Sequence, residues 1–300
     1  MNIVKYRYIF YSVSGILILA AVFAIVFFGF NFGIDFVGGT LWQIKPVIDN
    51  QQPATNDIRD FFEKDLGVKN ATVYSEKETQ SFLIRLGNLS EEQHQDYLQK
   101  LKIEFNEVEE LRYETIGPAI GKELRSRAIW AVILVLIGIS LYVIYAFRKV
   151  SYPIKSWKYG IITLVTLFHD TLISVGFLAF LGRFSGVEFD TKFIIAILVI
   201  IGFSVHDTIV VFDRIREHLL INRLRDNLLE IVNESVKQTI ARSINTSLTL
   251  VLTLAALFVL GPLSLKYFAL VIAVGVVVGT YSSIFIASPL LTSWMGSGKS

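Results

Sequence analysis

Ionisable side chains lie inside three stretches of the sequence that are otherwise apolar. His169 and Asp170 are adjacent in one stretch, His206 and Asp207 are adjacent in the next, and Arg242 comes at the start of a third. An ionised group near the centre of a bilayer costs at least about 2.5 kcal/mol, so such residues are usually paired or functional. When a carboxylate beside a movable basic side chain binds or releases a proton, the attraction between the two groups changes. That change can alter which packing of the helices is more stable.

Asp207 and Arg242 are the residues that fit this chemistry best. The apolar stretch around Asp207 ends near Asp213, which places the carboxylate about 9 Å from that end at the helical rise per residue. Arg242 is expected to enter from the same side at a helix start, with Thr246 one turn further on the same face. The spacing therefore predicts Asp207 as a proton carrier and Arg242 as its countercharge.

Other interpretations of these residues stay open. Arg242 could extend its side chain to the membrane surface, and Asp170 could be held by His169 or by a hydrogen bond to another helix. His206 could relay a proton, but adjacent residues on a helix point about 100° apart, which favours a polar packing role for it. A carboxylate near a hydroxyl such as that of Thr246 also suits sodium. We keep His169, Asp170 and His206 as accessory candidates.

The composition places these residues in a membrane protein. Of 300 residues, 53% are hydrophobic and 18% charged, and the mean hydropathy is +0.56, which is too apolar for an ordinary soluble domain. A bilayer core needs about 20 apolar residues per helix. The sequence therefore predicts a polytopic α-helical membrane protein with six transmembrane helices, at Ile9–Phe28, Ala128–Phe147, Gly160–Leu181, Phe193–Phe212, Ile244–Leu260 and Tyr267–Leu291.

The basic residues of the short loops predict the orientation, because the loops richer in Lys and Arg stay cytoplasmic. One side carries Lys5, Arg7, Arg148, Lys149, Lys155, Lys158, Arg214, Arg216, Arg223, Arg225, Lys237 and Arg242. The other side carries only Arg183, Lys192 and Lys266 in short loops. Both termini are thus predicted to be cytoplasmic, and the long insert between the first two helices is predicted to lie outside.

The insert has the pattern of a small α+β domain. Its predicted elements are a strand, a helix, two strands, a helix and a strand, at Leu41–Val47, Asn56–Leu66, Ala71–Ser75, Ser81–Leu86, Glu91–Glu104 and Val108–Ile116. This βαββαβ order is that of the ferredoxin-like fold. We therefore divide the chain into residues 1–29 (amino terminus and first helix), 30–127 (extracytoplasmic domain), 128–292 (helices two to six) and 293–300 (cytoplasmic tail).

The sequence lacks the usual signatures of an enzyme. It contains no cysteine, which excludes thiol catalysis and cysteine-ligated metals, and four histidines leave little room for a metal cluster. The tail Gly296–Ser300 ends in Gly-Lys-Ser but lacks the first glycine of a phosphate-binding loop. No Gly-x-Ser-x-Gly or His-Glu-x-x-His motif is present. We therefore expect no enzymatic turnover, no cofactor and no metal.

Four motifs follow one another along the chain, at Phe32–Thr40, Ile116–Leu124, Gly202–Glu217 and Asn233–Ser247. The first contains Gly33, Asp35, Gly38 and Gly39 in the pattern Gly-x-Asp-Phe-x-Gly-Gly. Together these motifs resemble the SecF family of protein-export subunits, in the RND superfamily of proton-driven membrane proteins. The resemblance extends over almost the whole chain.

The resemblance implies a function, partners and site residues. A SecF-family subunit of the bacterial inner membrane works with SecD and the SecYEG channel, with YajC as a further candidate partner. It uses the proton-motive force, and no cofactor, to promote the translocation of preproteins. The family's proton-coupling residues fall on Asp207, Arg242 and Thr246, and the chain departs from the family in having His206 where an asparagine is expected.

Two rival functions remain. One is a proton-driven RND-type exporter of small molecules or lipids, although the single short exterior domain and the Sec-like motifs weigh against it. The other is a passive assembly scaffold, in which the buried charges serve only helix packing. A scaffold would keep its effect on export when Asp207 is replaced by asparagine.

Overall fold

The computed structural model describes residues 3–47, 53–68, 71–76, 79–148, 154–222 and 228–296. The chain forms two compact units, Met1–Asn31 with Ile129–Ser300, and Phe32–Ala128. The α-helices are α1 (Arg7–Phe23), α2 (Ile34–Val37), α3 (Thr55–Asp60), α4 (Glu91–Glu104), α5 (Pro118–Ala146), α6 (Ser156–Ser185), α7 (Thr191–Asn222), α8 (Leu228–Leu260), α9 (Leu263–Ser282) and α10 (Ser288–Gly296). The strands are β1 (Gly39–Val47), β2 (Thr72–Glu76), β3 (Ser81–Leu86) and β4 (Glu107–Ile116).

Among the described residues, six helical segments are long and apolar enough to cross a membrane, which confirms the predicted number. They are Arg7–Phe28, Pro118–Ala146, Ser156–Ser185, Thr191–Ile221, Leu228–Leu260 and Ser264–Trp294. Two of them include π-helical turns, at Ala24–Phe28 after α1 and at Ser283–Ala287 between α9 and α10. The basic residues Lys149, Arg223 and Arg225 and the end of the tail, 297–300, lie outside the described residues.

Two helices extend beyond the apolar windows that predicted them. Helix α7 continues to Asn222 instead of ending at Phe212, and α8 begins at Leu228 instead of Ile244. The added part of α8 buries one face at helical spacing, through Ile231, Val232, Ser235, Val236 and Thr239. An amphipathic helix needs only one apolar face, so a search for uniformly apolar windows misses such an extension. Most of the predicted basic loop is therefore helical.

The second unit contains one four-stranded sheet with the order β2-β3-β1-β4, in which all neighbours are antiparallel. Strands and helices follow in the predicted order, and β3 and α4 have the predicted bounds. The first predicted helix, Asn56–Leu66, forms as α3 followed by a π-helical segment, Phe61–Asp65. The core of this unit includes the fully buried side chains Trp42, Ile44, Ile58, Phe62, Ile84 and Leu101.

The glycines of the first motif are required by the backbone. Gly33 precedes α2, which contains Asp35, while Gly38 and Gly39 have φ angles of +81° and +132°. A Cβ atom on Gly38 would lie 2.7 Å from the Cα of Pro118, and one on Gly39 would lie 2.8 Å from the carbonyl oxygen of Leu86. Only glycine fits both the φ angles and these contacts.

A partly buried polar cluster joins α4 to the sheet. The indole nitrogen of Trp42 donates to Oε2 of Glu110 at 2.8 Å, and Nε2 of His94 lies 2.7 Å from the same oxygen. The His94 ring stacks on Tyr113 with 3.6 Å between ring centroids. Burial raises the pKa of the Tyr113 hydroxyl.

Candidate functional site

Asp207 lies near the middle of α7 and is buried in the helix bundle, with 2% of the residue exposed. Its Oδ2 accepts a hydrogen bond from Oγ1 of Thr280, on α9, at 2.8 Å. The two helices approach closely here, since a Cβ atom on Gly279 would lie 2.9 Å from Cβ of Ser204. A Cβ atom on Gly275 would collide with the side chain of Ile200. The small residues of α9 thus bring Thr280 to the carboxylate.

Asp170, on α6, is a second buried carboxylate, with 1% of the residue exposed. Its Oδ2 accepts from Oγ of Ser204 at 2.5 Å and from Oγ of Ser282 at 2.7 Å. Its Oδ1 lies 2.7 Å from Nδ1 of His169, whose Nε2 lies 3.0 Å from Oγ of Ser14. The pair therefore joins α1, α6, α7 and α9, and the structure contains the interhelical hydrogen bonds expected of a packing role.

Both carboxylates bind the same turn of α9. Asp207 accepts from Thr280 and Asp170 from Ser282, the last residue of α9 before the π-helical segment Ser283–Ala287. Segments of π-helix interrupt the regular hydrogen-bond ladder and often occur at functional sites. A change of charge at either carboxylate thus acts on the contact between α7 and α9, next to an irregular turn.

Arg242 is not brought to Asp207. It is exposed inside α8, and its guanidinium forms no hydrogen bond or ion pair with any described residue. Thr246 donates to the backbone carbonyl of Arg242 at 2.9 Å rather than to a carboxylate. Because α8 begins at Leu228, Arg242 lies about 21 Å along the helix. The prediction that Arg242 opens its helix is therefore wrong, and its pairing with Asp207 is not formed in this structure.

The exposed surface of α8 includes a polar strip at helical spacing, beside the exposed apolar residues Ile244, Leu248 and Leu252. Arg242, Asn245, Thr249 and Thr253 are all exposed on this strip. Polar groups in a membrane-spanning helix are costly against lipid and usually face protein or water. His206, beside Asp207 on α7, is likewise exposed and forms no hydrogen bond with the described part of the chain. Neither it nor Arg242 belongs to the buried network.

Comparison with known proteins identifies the family. Residues 96–297 match the family described as "Protein export membrane protein SecD/SecF, C-terminal", and residues 23–45 match the "SecD/SecF GG Motif". The chain belongs to the SecD/SecF family. The second match contains the motif residues Gly33, Asp35, Gly38 and Gly39.

Relatives in the SecD/SecF family match nearly the whole chain. A protein translocase subunit SecF of Thermobaculum terrenum is 43% identical, over 98% of this chain and 94% of the relative. A protein translocase subunit SecDF of Thermus thermophilus is 38% identical, over 96% of this chain and 38% of the relative. The crystal structure of SecDF from the latter organism, described as a translocon-associated membrane protein, matches with a TM-score of 0.80 and 36% identity. That match covers 99% of this chain and 39% of the SecDF chain.

The hydroxyl partners of the two carboxylates were not predicted from this SecD/SecF-family sequence. They are Ser204, Thr280 and Ser282, and Ser14 is the hydroxyl partner of His169. Many buried hydroxyls in these helices only donate to their own backbone, as Ser174 does to the Asp170 carbonyl, so residue type alone does not distinguish them. One signal was available: Gly275 and Gly279 form a Gly-x-x-x-Gly motif, which predicts a close helix contact beside Thr280.

Proposed function

We propose that the chain is a SecF-type subunit of the Sec protein-export machinery, which uses the proton-motive force to promote preprotein translocation. Its match to SecF over almost the full length of both chains supports this function. The observation that carries the mechanism is the buried Asp207 carboxylate, which one hydroxyl holds at the contact between two membrane helices. The chain performs no covalent chemistry and needs no cofactor in this proposal.

The proposed partner in the membrane is SecD. The SecDF relative contains the equivalent of this chain as 39% of a longer polypeptide, so a separate SecD would supply the remainder. The exposed polar strip of α8 supports a protein partner rather than lipid. The SecYEG channel, YajC and the emerging preprotein complete the proposed set of partners.

We infer a bacterial inner-membrane topology with both termini in the cytoplasm. Residues 1–29 supply the amino terminus and first helix, 128–292 supply helices two to six, and 293–300 form the tail. Residues 30–127 form an extracytoplasmic ferredoxin-like domain, an assignment supported by the antiparallel strand order β2-β3-β1-β4. The excess of Lys and Arg in the loops on one side supports the orientation.

In the proposed mechanism Asp207 takes up a proton and loses its charge, which weakens its hold on Thr280 and alters the contact between α7 and α9. Arg242, assisted by Thr246, is the countercharge in the state in which α8 approaches the carboxylate. One proton crossing about 100 mV releases about 2.3 kcal/mol, enough to shift a two-state equilibrium about fifty-fold.

Preprotein export into reconstituted vesicles tests this function. We expect vesicles with SecYEG, SecA, SecD and this chain to export several-fold more protease-protected preprotein than vesicles without the chain. A protonophore is expected to remove the stimulation, because the gradient is its energy source, and a sodium ionophore is expected to leave it unchanged. Loss with the sodium ionophore alone would make sodium the coupling ion, and absence of stimulation would contradict the export function. An RND-type exporter would transport a small molecule or lipid without affecting export.

A further inference from the structure

The His169–Asp170 pair has no part in the mechanism proposed above. Both residues are buried, at 4% and 1% exposed, in the middle of the helix bundle. No Lys or Arg within the described ranges forms an ion pair with Asp170, whose one ionisable partner there is His169. A lysine or arginine beside the carboxylate would favour its ionised form, whereas a carboxyl group and an imidazole can each bind or release a proton. The charge of this pair is therefore able to change.

The hydroxyls around the pair suit either protonation state, because a hydroxyl both donates and accepts. When Asp170 is ionised, Ser204 and Ser282 donate to its Oδ2. When Asp170 is protonated, the same serines offer oxygen lone pairs to its O–H group. Ser14 likewise donates to Nε2 of a neutral His169 and accepts from it when the imidazole is charged. The partners of the pair thus suit both protonation states, although a protonated Oδ2 can donate to only one of the two serines.

The pair is linked to Asp207 through two helices. Ser204 lies one turn before Asp207 on α7, and Ser282 lies two residues after Thr280 on α9. Other titratable groups on the helices packed around the pair point elsewhere. Tyr281 donates to the Phe10 carbonyl, Tyr11 hydrogen-bonds Ser293, and His206 is exposed. The charge of Asp170 and that of Asp207 therefore act on one contact between α7 and α9.

We propose that the His169–Asp170 pair is a second proton-binding site, in which a proton bound at Oδ2 of Asp170 weakens the hold of the carboxyl group on the Ser204 and Ser282 hydroxyls and loosens the contact between α7 and α9. With Asp170 ionised, both serines hold the two helices together around Asp207. When Asp170 is protonated, its O–H group donates to at most one of the two serines. The last turn of α9, before the π-helical segment Ser283–Ala287, is then held less tightly. The proposal rests on the proposed function, in which the same contact responds to Asp207.

Infrared difference spectroscopy on the full chain with SecD in lipid tests the second site. A pH step should produce carbonyl bands from two protonated carboxylic acids. We expect Asp170→Asn to remove one band and Asp207→Asn to remove the other. Ser282→Ala should move the pH midpoint of the Asp170 band and leave the Asp207 band in place. The matched control is Ser174→Ala, which removes a buried α6 hydroxyl bonded only to the Asp170 backbone carbonyl.

Gradient-dependent export is the second readout. Asp170→Asn and Ser282→Ala are each expected to lower the stimulation at least about tenfold, the scale of one hydrogen bond to a charged group, with Ser174→Ala at the native level. Bands that are unchanged in Asp170→Asn would show that the pair does not titrate and would overturn the proposal. If the Asp170 band is present and the Asp207 band is absent, the result would contradict the proposed role of Asp207 as the proton carrier but not the second proton-binding site. If Asp170→Asn fails to assemble, the spectra of Ser204→Ala and Ser282→Ala test the proposal instead. An Asp170 band whose pH midpoint is the same in both variants as in the native chain would also overturn the proposal.

Discussion

Replacing Gly279 with valine is expected to lower the free energy of unfolding by about 1–3 kcal/mol, the usual cost of overpacking, and to abolish gradient-dependent export. Even a Cβ atom at this position would lie 2.9 Å from Cβ of Ser204, so α7 and α9 must move apart. That movement stretches the Thr280–Asp207 hydrogen bond and separates Ser204 from Ser282 around Asp170. Thermal unfolding of the purified chain and export into vesicles measure the two effects.

Gly202→Val is the matched control for this substitution. Gly202 lies on α7, and a Cβ atom there would meet nothing within 4 Å. The control chain should unfold within a few degrees of the native one. If Gly279→Val unfolded at the same temperature as Gly202→Val and exported equally well, the close contact between α7 and α9 would not control the function.

Replacing Arg242 with glutamine is expected to reduce gradient-dependent stimulation at least about tenfold while changing the stability of the isolated chain by less than about 0.5 kcal/mol. The stability should hold because the exposed guanidinium has no ion-pair partner among the described residues. The stimulation should fall because the proposed countercharge is lost. Arg242→Lys keeps a cation and should retain part of the stimulation. Export and thermal unfolding are measured on the same preparations.

Lys237→Gln supplies the comparison for Arg242, because Lys237 is an exposed base on the same helix with its Nζ 3.8 Å from Oε2 of Glu234. It should export at the native level. Equal export by Arg242→Gln and Lys237→Gln would show that Arg242 only anchors α8 at the membrane surface.

Helix number was predictable from the sequence, but helix length was not. A membrane helix must be apolar all round where lipid surrounds it, so each span leaves an uninterrupted apolar window. Beyond the lipid one apolar face is enough, as in the first turns of α8, where Ile231, Val232 and Val236 are buried. The same difference explains the error over Arg242, because the start of an apolar window was taken for the start of a helix.

The buried carboxylates were predictable, but their partners were not. Asp170 and Asp207 are conspicuous in the sequence because an ionised acid inside a membrane-spanning apolar window costs free energy, and such residues are usually paired or functional. Their partners come from helices distant in sequence, as with Ser282 and Asp170 or Thr280 and Asp207. Hydrogen bonds of this kind depend on helix rotation and on the close approach at Gly279, which a single sequence specifies only through weak spacing signals.

The measurement that tests the central claim most directly is export driven by an imposed proton gradient, in vesicles that carry either the native chain or Asp207→Asn with equal assembly. Asparagine keeps the size of the side chain and an acceptor for Thr280 but cannot bind a proton in the same way. The account predicts that the native chain stimulates export only while the gradient lasts and that Asp207→Asn gives no stimulation. Equal stimulation by both chains would show that Asp207 is structural and would contradict the proton-coupled mechanism.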